Sequence, residues 1–151
     1  MLELERVYLM PKFGKKSLAN REFLCKDLKR LCDEVIKYYD FSIICSHRGQ
    51  TEQEEAFRIG NSNAHFGQSA HNYNPSFAVD VYPYPVPTTR NTPTTGIIID
   101  NKSPEWEKMV CVFKNAAKQL GISITCGADF KKLKDYPHIE ITDWKDKVKE
   151  I

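Results

Sequence analysis

The chain reads as an α+β protein in which a small, largely antiparallel sheet carries helices packed on one face. Helix-period and strand-period apolar runs interleave along it without a regular repeat. The strand-like runs are short and alternate apolar with polar residues, as in sheets that leave one face open for a cleft. The length of 151 residues is near the commonest domain size and can bury a core without disulfides, so a single domain over residues 1–151 is expected.

The elements follow in order. Leu24, Leu28, Leu31, Val35 and Ile36 recur at helical spacing from about Ser17 to Tyr39, and a strand is expected from Phe41 to Cys45. Thr51 and Glu54 suit a capping box for a short helix that Gly60 closes, and residues 61–67 form a polar loop. In the next strand Phe77, Val79 and Val81 point one way while Ala78, Asp80 and Tyr82 point the other. Pro83, Pro85, Pro87 and Pro93 break regular structure across a long connection. Ser103 and Pro104 open a second amphipathic helix, with Trp106, Met109, Val110, Phe113 and Ala117 on one side and Gly121 at its end. Strands at Ile122 to Cys126 and His138 to Thr142 complete the sheet.

Two segments carry chemistry. "SAHNYNPSFAVD" places His71 and Asp80 at the two ends of a loop that runs into a strand, and "DYPHIEI" places His138 three residues after Asp135. Catalytic zinc takes three ligands of the His and carboxylate classes and leaves its fourth position to water. Two neutral imidazoles and one carboxylate leave the metal about one positive charge, enough to acidify that water, whereas thiolates would quench it. His71, Asp80 and His138 are therefore the expected zinc ligands. Asp135 suits a base that takes the water's proton and delivers it to a leaving amine.

Three stretches, "SIICSHRGQTEQEEAF", "GQSAHNYNPSFAVDVYP" and "ITCGADFKKLKDYPHIEI", resemble the D-alanyl-D-alanine carboxypeptidase-like zinc peptidases, most closely the phage endolysin branch of L-alanyl-D-glutamate endopeptidases. The resemblance spans Ser42 to Thr142 and implies a Hedgehog/DD-peptidase-like fold. It implies that His71, Asp80 and His138 bind Zn2+, that Asp135 is the catalytic base, and that Arg48 polarises the scissile carbonyl or holds a substrate carboxylate. Gln53 also stands at a matching place. Gly127, Ala128, Asp129 and Phe130 stand where many relatives have two glycines, an acidic residue and Trp, so an aromatic ring is kept without its indole donor. Ser46 and His47 replace a frequent Gly and Tyr, which puts His47 near the site, with a solvated turn as its alternative.

The remaining composition limits other functions. A net charge of +2 is too small for nucleic-acid binding through clustered phosphate contacts. Lys131, Lys132 and Lys134 are the one basic cluster near the expected site. Five cysteines include no C-x-x-C pair, so reduced thiols are expected, with Cys25 and Cys32 in the core and Cys45 and Cys126 in strands. No EF-hand spacing is present. The amino terminus lacks the apolar stretch of a signal peptide, and no run approaches a membrane span.

The resemblance then implies a monomer made in the host cytoplasm, acting on peptidoglycan stem peptides after holin-assisted release and leading to host cell lysis. Two other readings stay open: a D-alanyl-D-alanine carboxypeptidase of the same chemistry, and a zinc-bearing wall-binding module without catalysis. Asp135 argues against the second, because a structural metal needs no base beside it.

Overall fold

The computed structural model describes residues 11–92 and 96–151. The signal-peptide reading of residues 1–10 and the break at Pro93 lie outside them. Helices α1 (Lys15–Arg21) and α2 (Lys26–Val35) precede strand β1 (Phe41–Cys45) and helix α3 (Gln50–Arg58). A 3-10 turn at Ala70–Asn72 leads into β2 (Ala78–Pro83), followed by β3 (Thr88–Thr92), β4 (Gly96–Ile99) and α4 (Glu105–Leu120). Strand β5 (Ile124–Cys126), a 3-10 turn at Gly127–Asp129, β6 (His138–Ile141) and α5 (Trp144–Val148) complete the order.

The principal sheet has the order β1-β2-β6-β5, and every pairing in it is antiparallel. Register separates its two faces. Val81 opposes Ile43 and Val79 opposes Ile139, which places these side chains with Phe41 and Ile141 on the core face. Asp80 opposes His138 and Ala78 opposes Glu140, so the polar residues share the other face. A bulge between Ile43 and Cys45 inserts one residue into β1, and Cys45 rather than Ile44 then stands opposite Asp80.

Helices α2 and α4 pack against each other in the core. Leu28, Leu31, Cys32 and Val35 of α2 are fully buried, as are Met109 and Phe113 of α4. Phe113 meets Phe41 edge to face with centroids 5.0 Å apart. Helix α4 carries Glu105 and Glu107 in its first turn and Lys118 in its last, which suits the helix dipole. Gly121 ends it in the left-handed conformation at φ 71°, where a side chain would be strained.

Four sequence expectations are corrected. The helix expected from Ser17 to Tyr39 is two helices, because Phe23 and Cys25 give their backbone groups to Ser76: Ser76 N donates to Phe23 O at 2.7 Å and Cys25 N to Ser76 O at 2.9 Å. Leu24 and Leu28 both remain buried, so the apolar period runs on through the break. Arg21 donates to both carboxylate oxygens of Asp33 at 2.7 and 2.6 Å and ties α1 to α2.

The capping box expected at Thr51 and Glu54 is absent: α3 starts after Gly49 without a side-chain cap, and Glu54 accepts instead from Phe66 N at 2.8 Å. A capping box does form at Ser69 and Asn72. The proline-rich connection holds the β3-β4 hairpin, since Thr88–Thr92 lies clear of Pro83, Pro85 and Pro87 and can pair. Strand β5 is shorter than expected, beginning at Ile124. All five cysteines are free.

Truncating Phe113 to Ala should cost about 3–5 kcal/mol, read as a lowered midpoint in urea unfolding; a loss below about 1 kcal/mol would show that α4 does not anchor the sheet.

Candidate active site

His71, Asp80, His138, Asp135 and Arg48 all line one cleft of about 410 Å³ on the open face of the sheet. Asp80 is at its centre. One of its oxygens, Oδ1, lies 3.3 Å from His71 Nε2 and 3.4 Å from His138 Nδ1, while Oδ2 lies 3.6 Å from the Arg48 guanidinium. The two imidazoles reach it from different elements, the 3-10 turn and β6, and their ring centroids are 5.2 Å apart.

Each imidazole is held by its other nitrogen. His71 Nδ1 lies 2.7 Å from the Ser46 carbonyl, which can only accept, so that nitrogen carries the proton and Nε2 is left facing Asp80. His138 Nε2 lies 2.6 Å from Glu140 Oε1, which leaves Nδ1 for the cleft. Both free nitrogens point at one carboxylate oxygen.

His71 Nε2 and Asp80 Oδ1 are buried without any hydrogen-bond partner. Burial works against the charge on all three side chains, but their mutual attraction wins: Asp80 is held below the usual carboxylate range, and its charge raises His71 to about 10 and His138 to about 9. Two orphaned buried atoms turned toward each other are costly for a fold, and a cation between them would satisfy both.

Cys45 belongs to this picture as well. Ligand atoms of Cys45, His71 and Asp80 lie within 4.8 Å of one another, a group that could hold a metal ion. His138 falls outside that mutual distance but reaches the same Asp80 oxygen. The donor set at hand is therefore four residues. A cysteine nucleophile is disfavoured: Cys45 Sγ lies 4.0 Å from His71 Nδ1, the nitrogen already committed to Ser46.

Arg48 is fixed from several sides. Its backbone N donates to the His71 carbonyl at 2.7 Å and its guanidinium donates to Gln53 Oε1 at 3.2 Å. Gln53 is fully buried, accepts also from Asn72 Nδ2 at 3.0 Å, and donates to Ala64 O at 2.7 Å, joining α3 to the 61–67 loop and the His71 turn. Asp135 sits exposed on the cleft wall. Protein crowded against its carboxylate raises its pKa and the charge of Asp80 adds to the rise, while His138, His71 and Arg48 oppose it. A carboxylate raised in this way is a better proton acceptor.

Gly127 sets the position of Asp135. Asp135 N donates to Gly127 O at 2.9 Å, and a Cβ on Gly127 would lie 2.1 Å from the Asp135 carbonyl oxygen. Phe130 packs near His138 with centroids 5.9 Å apart, so the aromatic ring in this loop lies against an imidazole of the site.

Several residues of the cleft carried no usable signal in the sequence. Glu140 became visible only through strand alternation with His138, and Trp144 and Lys145 only once α5 placed them on the cleft wall; Cys45, behind the cleft lining, joined the donor group only through the bulge. His47 and His65 lie elsewhere: His47 Nδ1 contacts the Tyr73 carbonyl at 3.0 Å, and His65 pairs with Glu54 at 3.0 Å. Of the lysines singled out near the site, Lys131 and Lys132 do not line the cleft, and Lys134 lines a separate cavity with Tyr82 and Trp106.

Buried imidazole and carboxylate donors beside a carboxylate of raised pKa are the groups a metal-dependent hydrolase uses, and known proteins narrow the class. The chain belongs to the phage L-alanyl-D-glutamate peptidase family, whose model matches residues 9–147. Its fold is similar to the crystal structure of the Serratia marcescens L-Ala D-Glu endopeptidase ChiX, with a TM-score of 0.71 and 25% identity over 93% of this chain and 96% of that one. No protein of curated function matches the chain by sequence.

Gly127→Ala should destabilise the chain by about 1–3 kcal/mol, because backbone must move to admit the methyl group. Gly14→Ala, where a Cβ meets nothing within 4 Å, serves as the control. Equal urea midpoints for the two variants would remove the argument from close approach.

Proposed function

We propose that this peptidase is an endolysin that uses Zn2+, held by His71, Asp80 and His138, to hydrolyse the L-alanyl-D-glutamate bond of peptidoglycan stem peptides. The observation that carries the reading is the placement of two imidazole nitrogens on one Asp80 oxygen at 3.3 and 3.4 Å. Bonds of about 2.0–2.1 Å to a tetrahedral zinc ion put neighbouring donor atoms about 3.3 Å apart. Asp80 Oδ1 thus stands near that spacing from each imidazole nitrogen, and the orphaned atoms His71 Nε2 and Asp80 Oδ1 are two of the proposed donors. Cys45 is left out of the set because a thiolate would lower the charge needed for catalysis.

Zinc bound there supplies a Lewis acid for the scissile carbonyl and lowers the pKa of a bound water. The protein's own residues do the rest. Asp135 accepts the water's proton and passes it to the amine of the departing D-glutamate. Arg48, fixed by Gln53 and the His71 carbonyl, presents its guanidinium to the negative charge that develops on the carbonyl oxygen. Ser46 and Glu140 hold the two imidazoles in the tautomers that leave Nε2 of His71 and Nδ1 of His138 free.

The endopeptidase reading is favoured over a carboxypeptidase because the cleft has a neighbour. A second cavity, lined by Gly67, Gln68, Tyr73, Trp144, Lys145 and Val148, shares Gln68, Trp144 and Lys145 with it, which gives substrate room to continue past the metal residues. Asp135, a carboxylate on the same cleft that is not one of the proposed donors, speaks for catalysis over a binding module. Among the described residues no helix is long and apolar enough to cross a membrane. We place the chain as a monomer made in the host cytoplasm that reaches the wall after holin-assisted release, in keeping with its family.

Asp135→Asn should bind zinc at the wild-type stoichiometry yet release peptide from purified cell wall roughly 10²–10⁴-fold more slowly, whereas His71→Ala should lose the metal. Full zinc content in His71→Ala, or wild-type turnover in Asp135→Asn, would remove the respective role. Glu140→Ala should weaken zinc binding about 10–100-fold in competition with a chelator; unchanged affinity would make the Glu140 contact incidental. Mass spectrometry of the released fragments reads the bond directly, because a new amino-terminal D-glutamate and a freed D-alanine are different products.

A further inference from the structure

We propose that Lys145 is a specificity residue that receives the free carboxylate of the glutamate on the departing side of the scissile bond. The inference rests on the bond assigned above and adds the group that reads it. Five side chains of fixed charge line the cleft: Arg48, Asp80, Asp135, Glu140 and Lys145. Arg48 is committed to Asp80 at 3.6 Å and to Gln53 at 3.2 Å. Lys145 has no carboxylate or carbonyl partner among the described residues; its ammonium lies 5.7 Å from the centroid of the Trp144 ring, within the range of a cation–π contact. Trp144 is itself buried at 8% exposure, so this contact places the ammonium over a fixed surface.

The substrate's chemistry calls for such a cation. Glutamate has two carboxyl groups, and a peptide chain continues through only one of them. The other is ionised near neutral pH and sits a few bonds from the nitrogen being released. A cleft whose charged walls hold three carboxylates and one committed guanidinium repels that anion unless an uncommitted cation meets it. A metal ion held by His71, Asp80 and His138 would have its coordination taken by those residues and the scissile carbonyl, so it would not ligate this second carboxylate. Lys145 stands on the ridge shared by the cleft and the cavity of Gly67, Gln68, Tyr73 and Val148, where substrate passes beyond the metal residues.

The test compares two peptides that differ only in this group, carboxylate in one and carboxamide in the other. The wild-type chain should prefer the carboxylate peptide in kcat/KM by about tenfold, the low end for a charge-assisted hydrogen bond, with the difference carried by KM. Lys145→Ala should bring the ratio close to one, and Lys145→Arg should keep most of it. A wild-type ratio near one, or a ratio that survives Lys145→Ala, overturns the proposal and in the latter case moves the contact to Arg48. Cleavage of neither peptide by the zinc-loaded wild-type chain overturns the bond assignment, and the lysine contact with it.

Discussion

The structure of the site depends on one carboxylate. Asp80 stands between two imidazoles and a guanidinium on the open face of the sheet, at contacts of 3.3, 3.4 and 3.6 Å. Bringing that many polar groups together away from water is costly unless their charges offset one another. The offset here comes from three separate parts of the chain: the loop after β1 supplies Arg48, the turn before β2 supplies His71, and β6 supplies His138. Holding the carboxylate therefore means holding all three, and the cleft forms only when the sheet does.

The sheet makes this possible because its two faces do different work. Val79 and Val81 anchor β2 in the core between Ile43 and Ile139, and the residue between them, Asp80, is turned to the other side by the pleat. A register slip of one residue would bury the carboxylate among α2 and α4 and expose the valines. The apolar core thus fixes the open face as firmly as the polar contacts do, and the rigid strands can hold side chains from distant parts of the sequence in place to within about 0.5 Å. Around them, Ser46 and Glu140 choose the imidazole tautomers, Gln53 fixes Arg48, and Gly127 lets the Asp135 segment approach.

Much of this could be read locally. The alternation around Asp80, the apolar stripe of Trp106, Met109, Val110 and Phe113, and the left-handed stop at Gly121 are patterns of period 2 or 3.6 that short stretches of chain enforce. The same holds for the chemical types of His71, Asp80, Asp135 and His138. Where a neighbour distant in sequence intervened, local reading failed. The long helix expected from Ser17 is cut at Phe23–Cys25 because Ser76 takes its backbone groups, and Glu54 leaves the expected cap to bind the backbone of Phe66.

Local patterns along the chain set the α+β class, the alternation that separates core from cleft, and which residue types could serve as metal ligands and base, because each is set by neighbours a few positions away. Long-range packing was needed to bring Cys45 beside His71 and Asp80 through a bulge, to set Glu140 and Ser46 against the imidazoles, and to make Trp144 and Lys145 part of the cleft wall. Those outcomes depend on strand register and on the docking of elements far apart in the chain, and no local period encodes either.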